Sequence, residues 1–400
     1  MKRLILSFAL AGLLIFGASA QKAAKPVPHS VRMNKAGGAQ RTEIILPQVK
    51  GYNVYKGDFH VHTSYSDGCV NPSGRVHEAW LDGLDIIAIT DHYEGQSGVK
   101  KFLKVTAPYN DDGQPTPYLA ASKVGAVKVD FNAIHAEAEG TLKKAGYPML
   151  LIKGCEMARN AKSHGHFNCL FLKDINGLYD KNMKEAFVKV KAQGGIIIHN
   201  HPAWRRDTSD KTPFHEEVYG AGLIDGVEVV NGSTFYPHIV KRCIEEKLTM
   251  FANTDIHSLS SYPRMNGTNF RTMTFILAKE LTEKAIKEAI LKHRTLCFVA
   301  GNVIGEEKWL VELLNASIDC RMVQENTEKE SRKYQITNHS SISYSLRRGK
   351  RTYTLAPFKS IYVNVGKEKE SKKYGAPKFT VENMYHVDYK RLVVTLEIDK

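Results

Sequence analysis

The sequence contains no GxGxxG and no P-loop, so the usual glycine-rich cradles for nucleotide phosphates are missing. It also has no CxxC. Its six cysteines, at positions 69, 155, 169, 243, 297 and 320, show no disulfide-framework spacing. Cys155, Cys169 and Cys297 sit in apolar, strand-like runs and read as small buried hydrophobes, so few disulfides or none are expected. Past the N-terminus no apolar stretch is long enough to cross a membrane. Long uninterrupted blocks of one charge are lacking too. The formal charge is +14, yet its densest basic clusters, around Arg347 to Arg351 and Lys367 to Lys373, alternate with acidic or turn residues. That pattern argues against nucleic acid as a partner and favours a small anionic substrate as the use of a positive field.

The chain opens with a basic start, Lys2 and Arg3. An apolar run from Leu4 to Phe16 follows, then a small-residue site, Ala18-Ser19-Ala20. This is the pattern of a cleavable signal peptide over 1–20, and it predicts a periplasmic or secreted protein. No cysteine follows in a lipobox-like position. Residues 21–51 read as a flexible leader rich in Lys, Ala, Gly and Pro.

From 52 to 304 short apolar strands alternate with helical patterns. The strands are expected at 57–62, 86–90, 149–153, 167–172, 195–199, 226–230, 250–253 and 272–277. Helices are expected at 74–81, 131–144, 184–193 and 283–293. Such alternation predicts parallel strands with helical crossovers closing into a barrel. After 305 the segments shorten and alternate apolar with polar, which predicts a small antiparallel, sandwich-like β domain over 305–400. Fourteen of the 16 histidines precede residue 300, so the chemistry is expected in the first domain.

Metal-ligand residue types recur at expected strand ends. GDFHVHTSYSDG carries His60, His62 and Asp67, and residues i and i+2 of a strand point to one side. ITDH carries Asp91 and His92, and GCE ends in Glu156. SHGHF offers His164 or His166, and HNHP offers His199 or His201. NTDIH carries Asp255 and His257. Imidazole and carboxylate together suit Zn²⁺, Mn²⁺ or Fe²⁺. Donors delivered from separate strand ends converge at the mouth of a parallel α/β barrel.

In that order these motifs resemble the PHP (polymerase and histidinol phosphatase) domain family across roughly 52–304. The secreted phosphoesterase or phosphodiesterase-like branch is the nearest in kind. The resemblance implies a distorted (β/α)7 barrel with two or three divalent ions. It implies that His60 and His62 bind one ion with Glu156 and Asp255, and that Glu156 bridges to a second held by His166 and His201. Asp67, His92 and His257 would hold a third. His166 is favoured over His164 because it directly precedes the apolar run FNCLFL. His201 is favoured over His199 because it precedes Pro202. Asp91 would fix the tautomer of a nearby histidine.

The activity implied is hydrolysis of phosphomonoesters or phosphodiesters by a hydroxide bridging two ions. His199 is a candidate proton donor to the leaving group, and Arg205 and Arg206 are candidate phosphate clamps. Residues 94–130, a long insertion holding Tyr109 and Tyr118, read as a lid or substrate wall, with Tyr93 beside it. Asn231 and Asn253 fall at strand ends and would line the site or cap a helix. Two other readings are hydrolysis of another bond by an amidohydrolase-like site, and a non-catalytic envelope- or glycan-binding module.

Overall fold

The computed structural model describes residues 40–93, 130–260, 270–367 and 374–398. The expected signal peptide, most of the leader, and residues 94–129 of the insertion, with Tyr109 and Tyr118, lie outside the described residues. Among the described residues no helix is long and apolar enough to cross a membrane.

The first strands and helices alternate as β1 (Asn53–Asp58), α1 (Pro72–Leu81), β2 (Ile86–Ile89), α2 (Phe131–Ala145) and β3 (Leu150–Ala158). Next come β4 (His166–Leu170), α3 (Met183–Ala192), β5 (Ile196–His199), α4 (Pro213–Gly220), β6 (Gly226–Asn231), β7 (Thr234–Phe235), α5 (Pro237–Glu245) and β8 (Thr249–Asn253). The series ends with β9 (Met273–Ala278), α6 (Glu283–Leu291), β10 (Thr295–Val299), β11 (Asn302–Ile304) and α7 (Glu307–Ser317). The remainder is β12 (Ile318–Asn326), β13 (Ser331–Asn338), β14 (Tyr344–Arg348), β15 (Arg351–Leu355), β16 (Ser360–Gly366), β17 (Lys378–Tyr385) and β18 (Arg391–Thr395).

Strands β2 (IIAI) and β5 (IIIH) are buried at every position, as expected where a sheet is covered on both faces. Strands β1, β2 and β3 pair in parallel, as do β5, β6 and β8. The parallel expectation fails at two places. Strand β4 runs antiparallel to both β3 and β5, and β9 runs antiparallel to both β1 and β10. The first reversal explains why His166 opens its strand while the other donors close theirs. Antiparallel pairing carries the start of β4 to the level where β3 and β5 finish, with His166 opposite Ala158 and Phe167 opposite His199.

A closed strand ladder was expected and is not formed among the described residues. One path of paired strands runs from β15 to β7, with β8 attached to β6. Between β8 and strands β9 and β10, threonine hydroxyls take the place of ladder bonds. Ala252 N donates to Thr274 Oγ1 at 2.9 Å, that hydroxyl donates back to Ala252 O, and Thr295 Oγ1 donates to Met250 O at 2.8 Å. Beyond the strand ends an isolated parallel bridge joins Val61 to Ile256.

The C-terminal segments are strands as expected, but they do not form a separate pair of sheets. Strands β12, β13 and β16 make one antiparallel sheet, whereas β14, β15, β17 and β18 join the large sheet through a parallel β11–β17 pair. A single apolar cluster holds Phe275, Leu296, Leu310, Tyr334, Leu346, Val363 and Phe379, so the core crosses residue 305. The end of the expected leader is likewise packed. Arg41 donates to the carbonyls of Trp80 and Leu84, Ile44 is buried, and Ile45 exchanges hydrogen bonds with Ser341.

Candidate metal centre

Strand β1 ends at Asp58, so His60 and His62 lie just past it rather than within it. The backbone stays extended because neighbours hold it there. Phe59 N donates to Asn253 Oδ1, Asp255 N to His60 O, and His62 N to Ile256 O. Val61 faces Thr90 and the core, and both imidazoles turn the other way, with their Nε2 atoms 3.1 Å apart. Both rings are fully buried.

Around them the remaining donors converge. Asp255 Oδ1 lies 3.1 Å from the Nε2 of each imidazole. Glu156 Oε1 faces His60 at 3.3 Å, His166 at 3.3 Å and His201 at 3.5 Å. Its Oε2 faces His62 at 3.5 Å and His92 at 2.7 Å. Asp67 faces His62, His92 and His257 at 3.5, 3.5 and 3.2 Å. The potential ligand atoms form four overlapping groups, each within 4.8 Å: His60–His62–Glu156, His60–His201–Asp255, His92–Glu156–His166 and His62–Asp67–His92–His257. Together the groups hold the nine residues that the motifs suggested as metal ligands.

The spacing suits metal ions. Two N or O ligands about 2.0–2.2 Å from one ion stand about 3.0–3.5 Å apart at tetrahedral or octahedral angles, and most of these contacts fall there. His92 Nδ1 and Glu156 Oε2 approach closely without the alignment of a hydrogen bond, which leaves both atoms buried with no hydrogen-bond partner. A shared cation would satisfy both. Two of the donors also sit on strained backbone, His201 at φ 25° and Asp255 at φ 54°. Such strain collects at functional sites, where surrounding structure enforces it.

Electrostatics agree. Burial opposes charge on His60, yet the Asp255, Glu228 and Glu156 carboxylates raise it well above the ordinary histidine value. His92 is pushed up to about 10 against burial, chiefly by Glu156 and Asp67. Asp67, against burial, is held below the carboxylate range by His257 and His92, and Asp255 by His60 and His62. The carboxylates that favour positive charge on His60 and His92 would equally favour divalent cations.

One residue of this centre escaped the sequence reading. Glu228, in β6, is fully buried beneath the donors. Its Oε1 takes hydrogen bonds from His60 Nδ1 at 2.8 Å and Asn253 Nδ2 at 3.0 Å. Its Oε2 takes them from His201 N at 2.7 Å and Asn231 Nδ2 at 2.9 Å. A buried carboxylate that loses its partners costs about 3–5 kcal/mol, and four donors answer that cost. The available signal was a charged residue between valines in GVEVV, which reads equally as an outward polar position.

Other candidates lie elsewhere. Among the described residues the Asp91 side chain makes no hydrogen bond to a histidine. It accepts from Thr63 N, Thr63 Oγ1 and Ser66 Oγ, and reaches His62 only through Ser66, whose hydroxyl is 3.3 Å from Nδ1. His199 points away from the donors because β5 ends there and the chain then leaves extended geometry, with His201 at φ 25°. It is buried against Phe167 and His215, with Nδ1 bonded to Tyr219 Oη at 2.8 Å, so a role as proton donor to a leaving group has no geometric support. His164 packs against the ring of Phe214, outside the donor groups. Arg206 is committed to the carbonyls of Pro202 and Asp210. Arg205 lies over the ring of Trp204 at 4.4 Å. Trp204, 41% exposed, packs on the rings of His166 and His201. Tyr93 is buried and bonded to Asn176 O, which makes it a packing residue.

No family profile matches the chain, and no curated protein matches it. Among solved structures it is similar to a two-domain protein from Bacteroides vulgatus containing a predicted PHP-like metal-dependent phosphoesterase. The identity is 31% with a TM-score of 0.77, over 90% of this chain and 99% of that one. Weaker similarities are to an amidohydrolase from Chromobacterium violaceum (14% identity, TM-score 0.36, 60% of this chain and 97% of that one) and a lesion-specific endonuclease from Pyrococcus furiosus (16%, 0.39, 64% and 59%). Both fall too low in structural similarity to carry an argument.

Proposed function

We propose that this chain, which belongs to the PHP family, hydrolyses small phosphoesters at a centre of two or three divalent ions, Zn²⁺, Mn²⁺ or Fe²⁺. The observation that carries the reading is Glu156, a buried carboxylate whose two oxygens face five histidine rings. Divalent ions there would acidify a water toward neutral pH and neutralise phosphoryl oxygens.

The protein's own part is to hold and orient. His60, His62, Glu156, His166, His201 and Asp255 would hold ions at the buried end, and Asp67, His92 and His257 at the half-exposed end. Four carboxylates, Glu228 included, against three divalent ions leave about +2, and against two leave about zero. The three-ion surplus favours an anionic ester over a neutral amide, which sets the amidohydrolase-like reading behind. An intact donor set weighs against a non-catalytic envelope- or glycan-binding role.

Arg205 would bind phosphate. Stacked on Trp204, its guanidinium keeps its in-plane N–H groups available for a bidentate anion. Arg206, bonded within its own loop, supports that loop instead. The N-terminal pattern suggests a protein that works outside the cytoplasm, and N-terminal sequencing of the mature chain tests cleavage after Ala20.

The function itself is tested by hydrolysis of p-nitrophenyl phosphate and bis(p-nitrophenyl) phosphate with added Mn²⁺ or Zn²⁺. The double variant His60→Ala/His62→Ala serves as control. Metal-dependent turnover absent from the control supports the proposal, and the ratio of the two rates separates phosphatase from phosphodiesterase. No turnover by metal-loaded protein refutes it.

A further inference from the structure

We infer that Glu228 is a positioning residue that assembles one ion's ligand set, His60, His201 and Asp255, from three separate loops. The inference rests on the reading that these residues hold a metal, but not on the identity of the substrate.

The three residues form one of the four donor groups, and Glu228 reaches each of them. It binds His60 through the ring, His201 through the backbone, and Asp255 through Asn231, whose amide nitrogen lies 2.9 Å from Glu228 Oε2 and 3.2 Å from Asp255 Oδ2. The bond to His60 places the proton on Nδ1 and turns the Nε2 lone pair toward the donor cluster, which is how a carboxylate orients a metal-binding imidazole. The bond to His201 N holds that residue's backbone at its strained φ of 25°. One carboxylate therefore fixes a tautomer, a strained backbone and a carboxylate rotamer at once.

Only an acceptor fits this place. Asn253 Oδ1 accepts from Phe59 N, so the NH₂ of Asn253 faces Glu228. Asn231 places its NH₂ between two carboxylates. His201 offers a backbone N–H. With His60 Nδ1–H, all four groups around Glu228 donate. An amide of the same shape would present its own N–H groups to two of those donors and satisfy neither.

The test titrates metal-free wild type, Glu228→Gln and Asn231→Ala with Mn²⁺, reading bound ion by calorimetry, and compares the metal-free melting temperatures. Glu228→Gln is expected to weaken one class of Mn²⁺ binding about 10–100-fold and leave binding at the Asp67–His92–His257 end unchanged. Asn231→Ala, which leaves the other three hydrogen bonds in place, is expected to weaken the same class by less. Wild-type affinity in Glu228→Gln overturns the inference, and so does equal weakening of every class together with early melting. If Glu228→Gln does not fold, unchanged affinity in Asn231→Ala overturns it. A wild type that binds no divalent ion would instead sink the metal reading. A wild type that binds Mn²⁺ without turning over phosphoesters would sink only the proposed function.

Discussion

The two ends of the donor cluster are built differently. At the inner end His60, Glu156, His166 and His201 project from strand ends, are buried, and are tied from behind by Glu228 and by Asn200, which donates to Glu156 Oε1 at 2.8 Å. At the outer end Asp67 and His257 come from loops and are 42% and 39% exposed in their side chains, with His92 partly covered. The inner end has its geometry set by packing before any ion arrives, which favours tight, slow-exchanging binding. The outer end opens to solvent, where an ester arrives and where an ion exchanges more easily.

The contrast is broken most severely at the residue common to both ends. Glu156→Gln is expected to lower kcat/KM by more than about 100-fold and to strip ions from both ends, measured by turnover and by metal content after dialysis. A loss beyond that range is natural, because removing a partner that merely orients a ligand already costs about 10–100-fold. Asp67→Asn sharpens the contrast. It should lower metal content and activity about 10–100-fold while the inner ions remain bound. Arg205→Ala should raise KM about fivefold with a smaller change in kcat, since an exposed ion pair is worth about 1 kcal/mol or less. Trp204→Ala should match it, and the double variant should add little.

A separate effect is expected in the pH dependence of the metal-free protein. His92 stands at about 10 when folded against 6.5 as its ordinary value. A raised histidine gives its full stabilisation below the ordinary value and loses it as pH climbs through the folded value. The melting temperature of metal-free protein should therefore decline between about pH 6.5 and 10. Saturating Mn²⁺ should flatten that decline.

Much of the donor set was legible because it is encoded locally. His60 and His62 share a side through the period of extended chain. The same period would put His164 beside His166 and His199 beside His201. Each pair contributes one donor only because the backbone there is not extended, with Gly165 at φ 79° and His201 at φ 25°. What could not be read depends on long-range pairing. Nothing local in HFNCL says that β4 runs antiparallel, and nothing in MTFILA reverses β9. Glu228 was hidden because its four partners come from β6 itself and from segments near residues 60, 201 and 253, which meet only in the folded chain. Asp91 and His199 were placed near the chemistry on sequence proximity to donors. The structure turns one toward Thr63 and Ser66 and the other toward Tyr219. Beyond residue 305 the strands were legible, but their attachment to the large sheet through β11 and β17 was not, because three residues of β11 carry no pattern.

The central claim is that one buried carboxylate joins two unlike halves of a hydrolytic metal centre. The most direct test adds Mn²⁺ stepwise to metal-free wild type and Glu156→Gln, following bound ion and hydrolysis of bis(p-nitrophenyl) phosphate and p-nitrophenyl phosphate in the same samples. The account predicts that wild-type turnover of at least one ester rises only after the tight inner ions are in place, and that Glu156→Gln neither holds those ions nor turns over either ester. Wild-type binding and turnover in Glu156→Gln would contradict it.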